Sequence, residues 1–77
     1  MARVTMLGRL ADAAGWRTRV VEADTIGGLR LALERDAPGL SLNADAVAVI
    51  VNDAVARGDV GIGPDDEVGF MPPMSGG

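Results

Sequence analysis

The chain has 77 residues, enough for one small domain and too few for two. It contains no cysteine and no histidine, which excludes a disulfide framework, a Cys-based zinc site, thiol catalysis and imidazole general-base chemistry. With 48% hydrophobic and 23% charged residues and a formal net charge of −4, it has the composition of a soluble folded domain, and its acidity repels nucleic acid and anionic lipid.

All seven basic positions are arginine, and lysine, tyrosine and glutamine are absent. The side-chain repertoire for catalysis is therefore nearly empty. No apolar run is long enough for a membrane span and no long apolar leader core opens the chain, so a cytoplasmic protein is expected.

Arg3 to Leu7 alternates apolar and polar residues as a short first strand does. Gly8 breaks it. Leu10 to Ala14 is a segment of helix formers that stops at Gly15, a residue suited to a left-handed helix end. Trp16 to Val21, with β-branched and aromatic residues, reads as a second strand.

Asp24 or Thr25 caps the next helix, in which Ile26, Leu29, Leu33 and Ala37 follow helical spacing up to Pro38-Gly39. Gly27 and Gly28 weaken its first turn by about 1 kcal/mol each relative to alanine, which suggests fraying or a close backbone approach. Ala46 to Val51 is an unbroken apolar run, as expected of a central strand buried on both faces. Asn52-Asp53 is a turn signal, Ala54 to Ala56 a short return strand, and Gly58 to Gly63 a loop. After Pro64-Asp65-Asp66, Glu67 to Met71 forms a last strand with Val68 and Phe70 on one side. Asp65, Asp66 and Glu67 read either as an ordinary solvated turn or as contacts for a basic partner. Gly61-Ile62-Gly63 lacks the lysine and helix that a phosphate loop needs. This order implies an α+β roll, a mixed sheet of about five strands on one main helix.

The chain ends Pro72-Pro73-Met74-Ser75-Gly76-Gly77. Proline cannot donate to a sheet ladder and holds φ near −65°, so this segment leaves the sheet as a stiff spacer, while the two glycines make a slim tip. Six residues at about 3.3 Å each reach roughly 20 Å, far enough to enter a neighbouring protein. The bland alternative is a frayed terminus. Phe70 reads as core, whereas Met71 and Met74 suit an adaptable docking patch beside the tail.

Val51-Asn52, followed after a gap by Asp66-Glu67-Val68-Gly69-Phe70-Met71-Pro72-Pro73-Met74-Ser75-Gly76-Gly77, resembles the C-terminal half of the MoaD-like small subunits of molybdopterin synthase, sulfur carriers of the ubiquitin-like β-grasp fold. Leu7 to Gly15 is similar to that family's first turn and helix, with Leu7-Gly8 in place of Phe-Ala. Asp65 replaces a frequent glycine and Met74 a valine. The resemblance spans the chain, and it implies one β-grasp domain over residues 1–77 with 72–77 as an extended tail.

It further implies that the Gly77 carboxylate is the reacting group, first adenylated and then converted to a thiocarboxylate. Gly76, Ser75, Met74, Pro73 and Pro72 would insert into a partner, and Phe70 and Met71 would dock against it. The implied partners are the large synthase subunit, in a heterotetramer, a ubiquitin-activating-type adenylating enzyme that consumes ATP, and a sulfurtransferase donor. No cofactor or metal would be held by this chain, and the sulfur would pass to cyclic pyranopterin monophosphate. Thiamine thiazole, cysteine or tRNA thiolation are alternative destinations, and ubiquitin-like protein modification is another use of the same terminus.

Overall fold

The structure is a computed structural model that describes residues 2–42 and 47–72. Seven elements follow one another: β1 (Ala2–Met6), α1 (Arg9–Ala14), β2 (Thr18–Val21), α2 (Ile26–Asp36), β3 (Ala48–Val51), β4 (Ala54–Ala56) and β5 (Glu67–Met71). The strands form one sheet in the order β2-β1-β5-β3-β4, with β1 parallel to β5 and every other pair antiparallel. This is the expected mixed sheet, and it has the β-grasp arrangement.

Period-two alternation decides which side chains enter the core. Val4 and Met6 of β1, Val49 of β3, and Val68 and Phe70 of β5 point to one face, where Ile26, Leu29 and Leu33 of α2 cover them. Leu40 and Leu42, beyond α2, complete this core. The Leu42 N–H donates to Glu34 Oε2 at 2.7 Å, which ties the segment after the helix back to its last turns. Leu10, Ala11 and Ala14 bring α1 against the same core.

Helix α2 starts as its sequence dictates. Thr25 has extended backbone angles, and its hydroxyl accepts from the Gly28 N–H at 3.0 Å, satisfying one of the free donors of the first turn. The close approach expected at Gly27 is made by a side chain, not a backbone: Asp59 Oδ1 accepts from the Gly27 N–H at 2.6 Å. Gly15 ends α1 with φ 88° and donates to the Ala11 carbonyl, a left-handed helix end that glycine adopts without strain.

Three strands differ from the sequence expectation, the first only by starting and ending one residue earlier, at Ala2 and Met6. The second begins at Thr18, not Trp16. Trp16 instead lies half-buried against the core, with the Arg19 guanidinium 5.7 Å from its ring centroid, a cation–π distance. The apolar run expected as a central strand buried on both faces is β3, second from the edge; β5 is central. Val49 is buried but Ala48 and Ile50 are only half-buried, because α2 covers one face of the sheet alone. Ala46, the expected start of that strand, lies outside the described residues.

Candidate functional site

The fold fixes where the C-terminal tail begins. Strand β5 runs between β1 and β3, with Phe70 opposite Met6 on one side and Val49 on the other. Pairing continues one residue past β1, where the Leu7 N–H donates to the Phe70 carbonyl at 2.9 Å. Met71 is opposite Ala48, and Pro72, with no N–H to donate, ends the strand. Pro73, Met74, Ser75, Gly76 and Gly77 lie outside the described residues.

The root of the tail borders an apolar patch on the open face of the sheet. Ile50 pairs with both Gly69 and Val55. Leu7 Cδ1 and Ile50 Cβ stand 3.8 and 3.9 Å from the point a Gly69 side chain would occupy. Leu7 and Ile50 therefore flank a strip of bare backbone that continues to half-buried Met71 and Pro72. Val55 is 63% exposed and, paired with Ile50, extends the apolar surface of this face. Met71 is half-buried and keeps part of its surface exposed. Phe70 does not: at 0% exposure it is core, so its place in the docking set is corrected to a packing role beneath the patch.

A hydrogen-bond cluster holds the other end of β5. The Asn52 N–H donates to the Glu67 carbonyl at 2.8 Å, and the Glu67 N–H donates to Asn52 Oδ1 at 2.9 Å. Asn52 Nδ2 donates to Asp66 Oδ1 at 2.9 Å, while Asp66 Oδ2 accepts from the Gly63 N–H at 2.7 Å. Donation from the Gly63 backbone, and then from Asn52, holds the Asp66 carboxyl below the ordinary value. Asp66 is thus a turn residue, as one reading of the acidic triplet expects. The Val-Asn and Asp-Glu-Val segments, distant in sequence, meet here and set the register that brings Phe70 and Met71 to the tail root.

A shallow hollow of 350 Å³ is lined by Ala2, Arg3, Val20, Pro64, Asp65, Asp66 and Glu67. It sits at the start of β5, a strand length away from Pro72, and Asp66 within it is already engaged. Among the described residues, no polar or charged side chain is buried and no group of three acids is placed to hold a metal. No described helix is long and apolar enough to cross a membrane.

Sequence reasoning missed Leu7, Ile50 and Val55 as surface-forming residues. Strand parity carries the signal: counting by twos from buried Val4 and Met6, and from Val49, puts Leu7 and Ile50 on the opposite face.

Residues 4–77 match the sequence profile of the ThiS family. No curated protein matches the chain in sequence. Among solved structures, small archaeal modifier protein 1 of Haloferax volcanii is 29% identical, with a TM-score of 0.78 over 99% of this chain and 98% of that one. The small archaeal modifier protein 1 of Methanosarcina acetivorans has a TM-score of 0.83 at 20% identity, covering 99% and 95%. A putative molybdopterin converting factor subunit 1 of Pyrococcus furiosus has a TM-score of 0.77 at 21% identity, covering 95% and 97%. The last two likenesses are of fold alone.

Proposed function

The chain belongs to the ThiS family of ubiquitin-like sulfur carriers, and from that premise we propose that it is the sulfur-carrying small subunit of a molybdopterin synthase, acting in the cytoplasm. The observation that carries this reading is the Pro-Pro-Met-Ser-Gly-Gly end, rooted at the rim of the central strand beside an apolar docking strip.

A carboxylate is a poor acyl donor until its oxygen becomes a good leaving group. A separate adenylating enzyme joins the Gly77 carboxylate to AMP, releasing pyrophosphate from ATP. The persulfide of a sulfurtransferase then attacks the acyl carbon and AMP departs; a thiol cleaves the resulting acyl disulfide, so that Gly77 ends as a thiocarboxylate and the donor sulfur in a disulfide with that thiol. The apolar strip of Leu7, Ile50, Val55 and Met71 seats the carrier on the large subunit, and the tail brings the sulfur to cyclic pyranopterin monophosphate. Water restores the Gly77 carboxylate after transfer, so the carrier is a cosubstrate and the catalytic side chains belong to its partners. The lack of cysteine and histidine is compatible with this, because the sulfur rides on the main chain.

Loading is tested by intact mass after incubation with ATP, an adenylating enzyme and a sulfur donor, where exchange of O for S adds about 16 Da. The synthase assignment is tested by adding loaded carrier to purified large subunit and cyclic pyranopterin monophosphate. Formation of the dithiolene supports it; loading without transfer moves the acceptor to thiazole, cysteine or tRNA thiolation.

Protein modification is the second reading, favoured by 29% identity to the Haloferax volcanii modifier protein. It uses the same activated Gly77 with an amine as acceptor. Having no lysine, the chain would not build lysine-linked polymers of itself. High-mass adducts that disappear on deletion of Gly77 would distinguish this use.

A further inference from the structure

We infer that the outer edge of β2 is a docking site for an extended segment of a partner protein, one that alternates acidic and apolar residues and joins the sheet as a further strand. β2 lies at the end of the sheet order and pairs with β1 alone. Thr18, Arg19 and Val20 are all exposed.

The ladder decides which backbone groups face a newcomer. Opposed residues of an antiparallel pair alternate between those that exchange hydrogen bonds and those whose N–H and C=O point away from the partner strand. The Met6 N–H donates to the Arg17 carbonyl at 2.7 Å, and this pair continues the register of Val4 with Arg19 and Ala2 with Val21. Thr18 and Val20, between them, therefore turn their N–H and C=O groups out of the sheet. Outside the strand ladders, no backbone bond among the described residues reaches either of them. The opposite edge offers less. β4 has three residues, and its two-residue link closes on Val51 and Ala54, so only Val55 turns its backbone outward.

Charge selects the occupant. Residues 16–21 hold two arginines and no acid, in a chain of net charge −4. The Arg17 and Arg19 side chains project on the face of buried Met6 and Val4, and Arg19 lies 5.7 Å from the Trp16 ring centroid. Thr18 and Val20 project on the open face, where Val20 is 59% exposed. In an antiparallel added strand, the residue opposite Arg19 belongs to the closer, non-hydrogen-bonded type of pair, so an acid there meets the guanidinium. Its two neighbours fall on the open face beside Thr18 and Val20. Charged edges guard against indiscriminate pairing, and a guard of one sign admits an acidic strand. A second copy of this chain fits poorly: the register that satisfies Thr18 and Val20 on both copies sets Arg19 directly against the other Arg19. β1 separates this edge from β5, so a segment held here leaves the root of the tail uncovered. Nothing in this pairing depends on the carrier reading.

The test titrates the full chain with a synthetic peptide, acetyl-Ser-Val-Val-Glu-Val-Glu-Ser-amide, whose glutamates oppose Arg19 and Arg17 in the antiparallel register. NMR shifts and amide hydrogen exchange are the readouts. Saturable shifts centred on β2 are expected, with exchange at the Thr18 and Val20 amides slowed about tenfold. The same peptide with lysine for both glutamates is expected to bind about tenfold more weakly. Val20→Pro removes an outward donor at an edge position that tolerates proline, and is expected to keep a cooperative melt while losing about tenfold in affinity. If it does not fold, the double variant Arg17→Glu, Arg19→Glu carries the test, with its preference expected to switch to the lysine peptide. Absence of saturable binding, shifts confined to Leu7, Ile50 and Val55, equal affinity for the two peptides, or protection of Thr18 and Val20 by self-association without peptide would overturn the inference.

Discussion

Asn52 Nδ2 donates to Asp66 Oδ1 at 2.9 Å, joining the turn after β3 to the residue that introduces β5. Asn52 and Asp53 both have positive φ, 49° and 70°, as the two-residue link between Val51 and Ala54 requires. Asparagine tolerates that conformation and still brings a side chain with both a donor and an acceptor. One residue thus turns the β3–β4 hairpin and fixes the start of the central strand. Asn52→Ala loses both side-chain bonds and strains φ, and is expected to destabilise the domain by about 1–2 kcal/mol in urea titration. Asn52→Asp, which puts a carboxylate against Asp66, is expected to be worse at neutral pH and to recover partly in acid.

Asp66 makes the acid side of the stability profile specific. Its folded pKa is lowered from 3.8 by the Gly63 N–H and then by Asn52, so the folded state favours the carboxylate. The stabilisation is fully present above the ordinary carboxylate range and is lost as pH falls below it, through the lower folded value. Thermal melts over that window should show a steep loss for wild type. Asp66→Asn should melt lower at neutral pH and have a shallower acid limb; an equally steep limb would contradict this assignment.

Phe70 and Met71 are adjacent and should separate stability from docking. Phe70 is fully buried, and Phe70→Ala is expected to cost about 3–5 kcal/mol, most of the stability of a domain this small. Met71 is half-buried at the tail root. Met71→Ala is expected to change stability by less than about 1 kcal/mol while weakening partner affinity about tenfold, read by denaturation and by calorimetry.

Gly27 offers a double-mutant cycle at the start of α2. Alanine gains about 1 kcal/mol in helix propensity, but its Cβ would stand 3.0 Å from both carboxylate oxygens of Asp59, of which Oδ1 accepts from this same N–H. Gly27→Ala alone is therefore expected to destabilise. In an Asp59→Ala background the same change is expected to stabilise, a reversal visible in melting temperature.

Much of the fold was legible because its signals are local. Thr25 before Ile26, Gly15 after Ala14, and Val68 with Phe70 in alternation each report their own element. The β3 run misled because Ala48 and Ile50 look like core residues although the sheet has a helix on one face only, a fact of tertiary arrangement. Trp16 resembled a strand residue because bulk and β-propensity are shared by a residue that packs beside a strand. At the site, the tail was plain from Pro72-Pro73 and Gly76-Gly77, but its surroundings were not. Leu7, Ile50 and Val55 come together only when β1, β3 and β4 are ordered around β5, and no sequence spacing records that order.

The central claim, that the main-chain carboxylate of Gly77 is the reacting group, is tested most directly by intact-mass spectrometry of the purified chain after ATP, an adenylating enzyme and a sulfur donor are supplied. A gain of about 16 Da is expected, confined by fragmentation to Gly77 and absent when Gly77 is deleted. An unchanged mass alongside a known carrier that loads under the same conditions, or sulfur found at another residue, would contradict it.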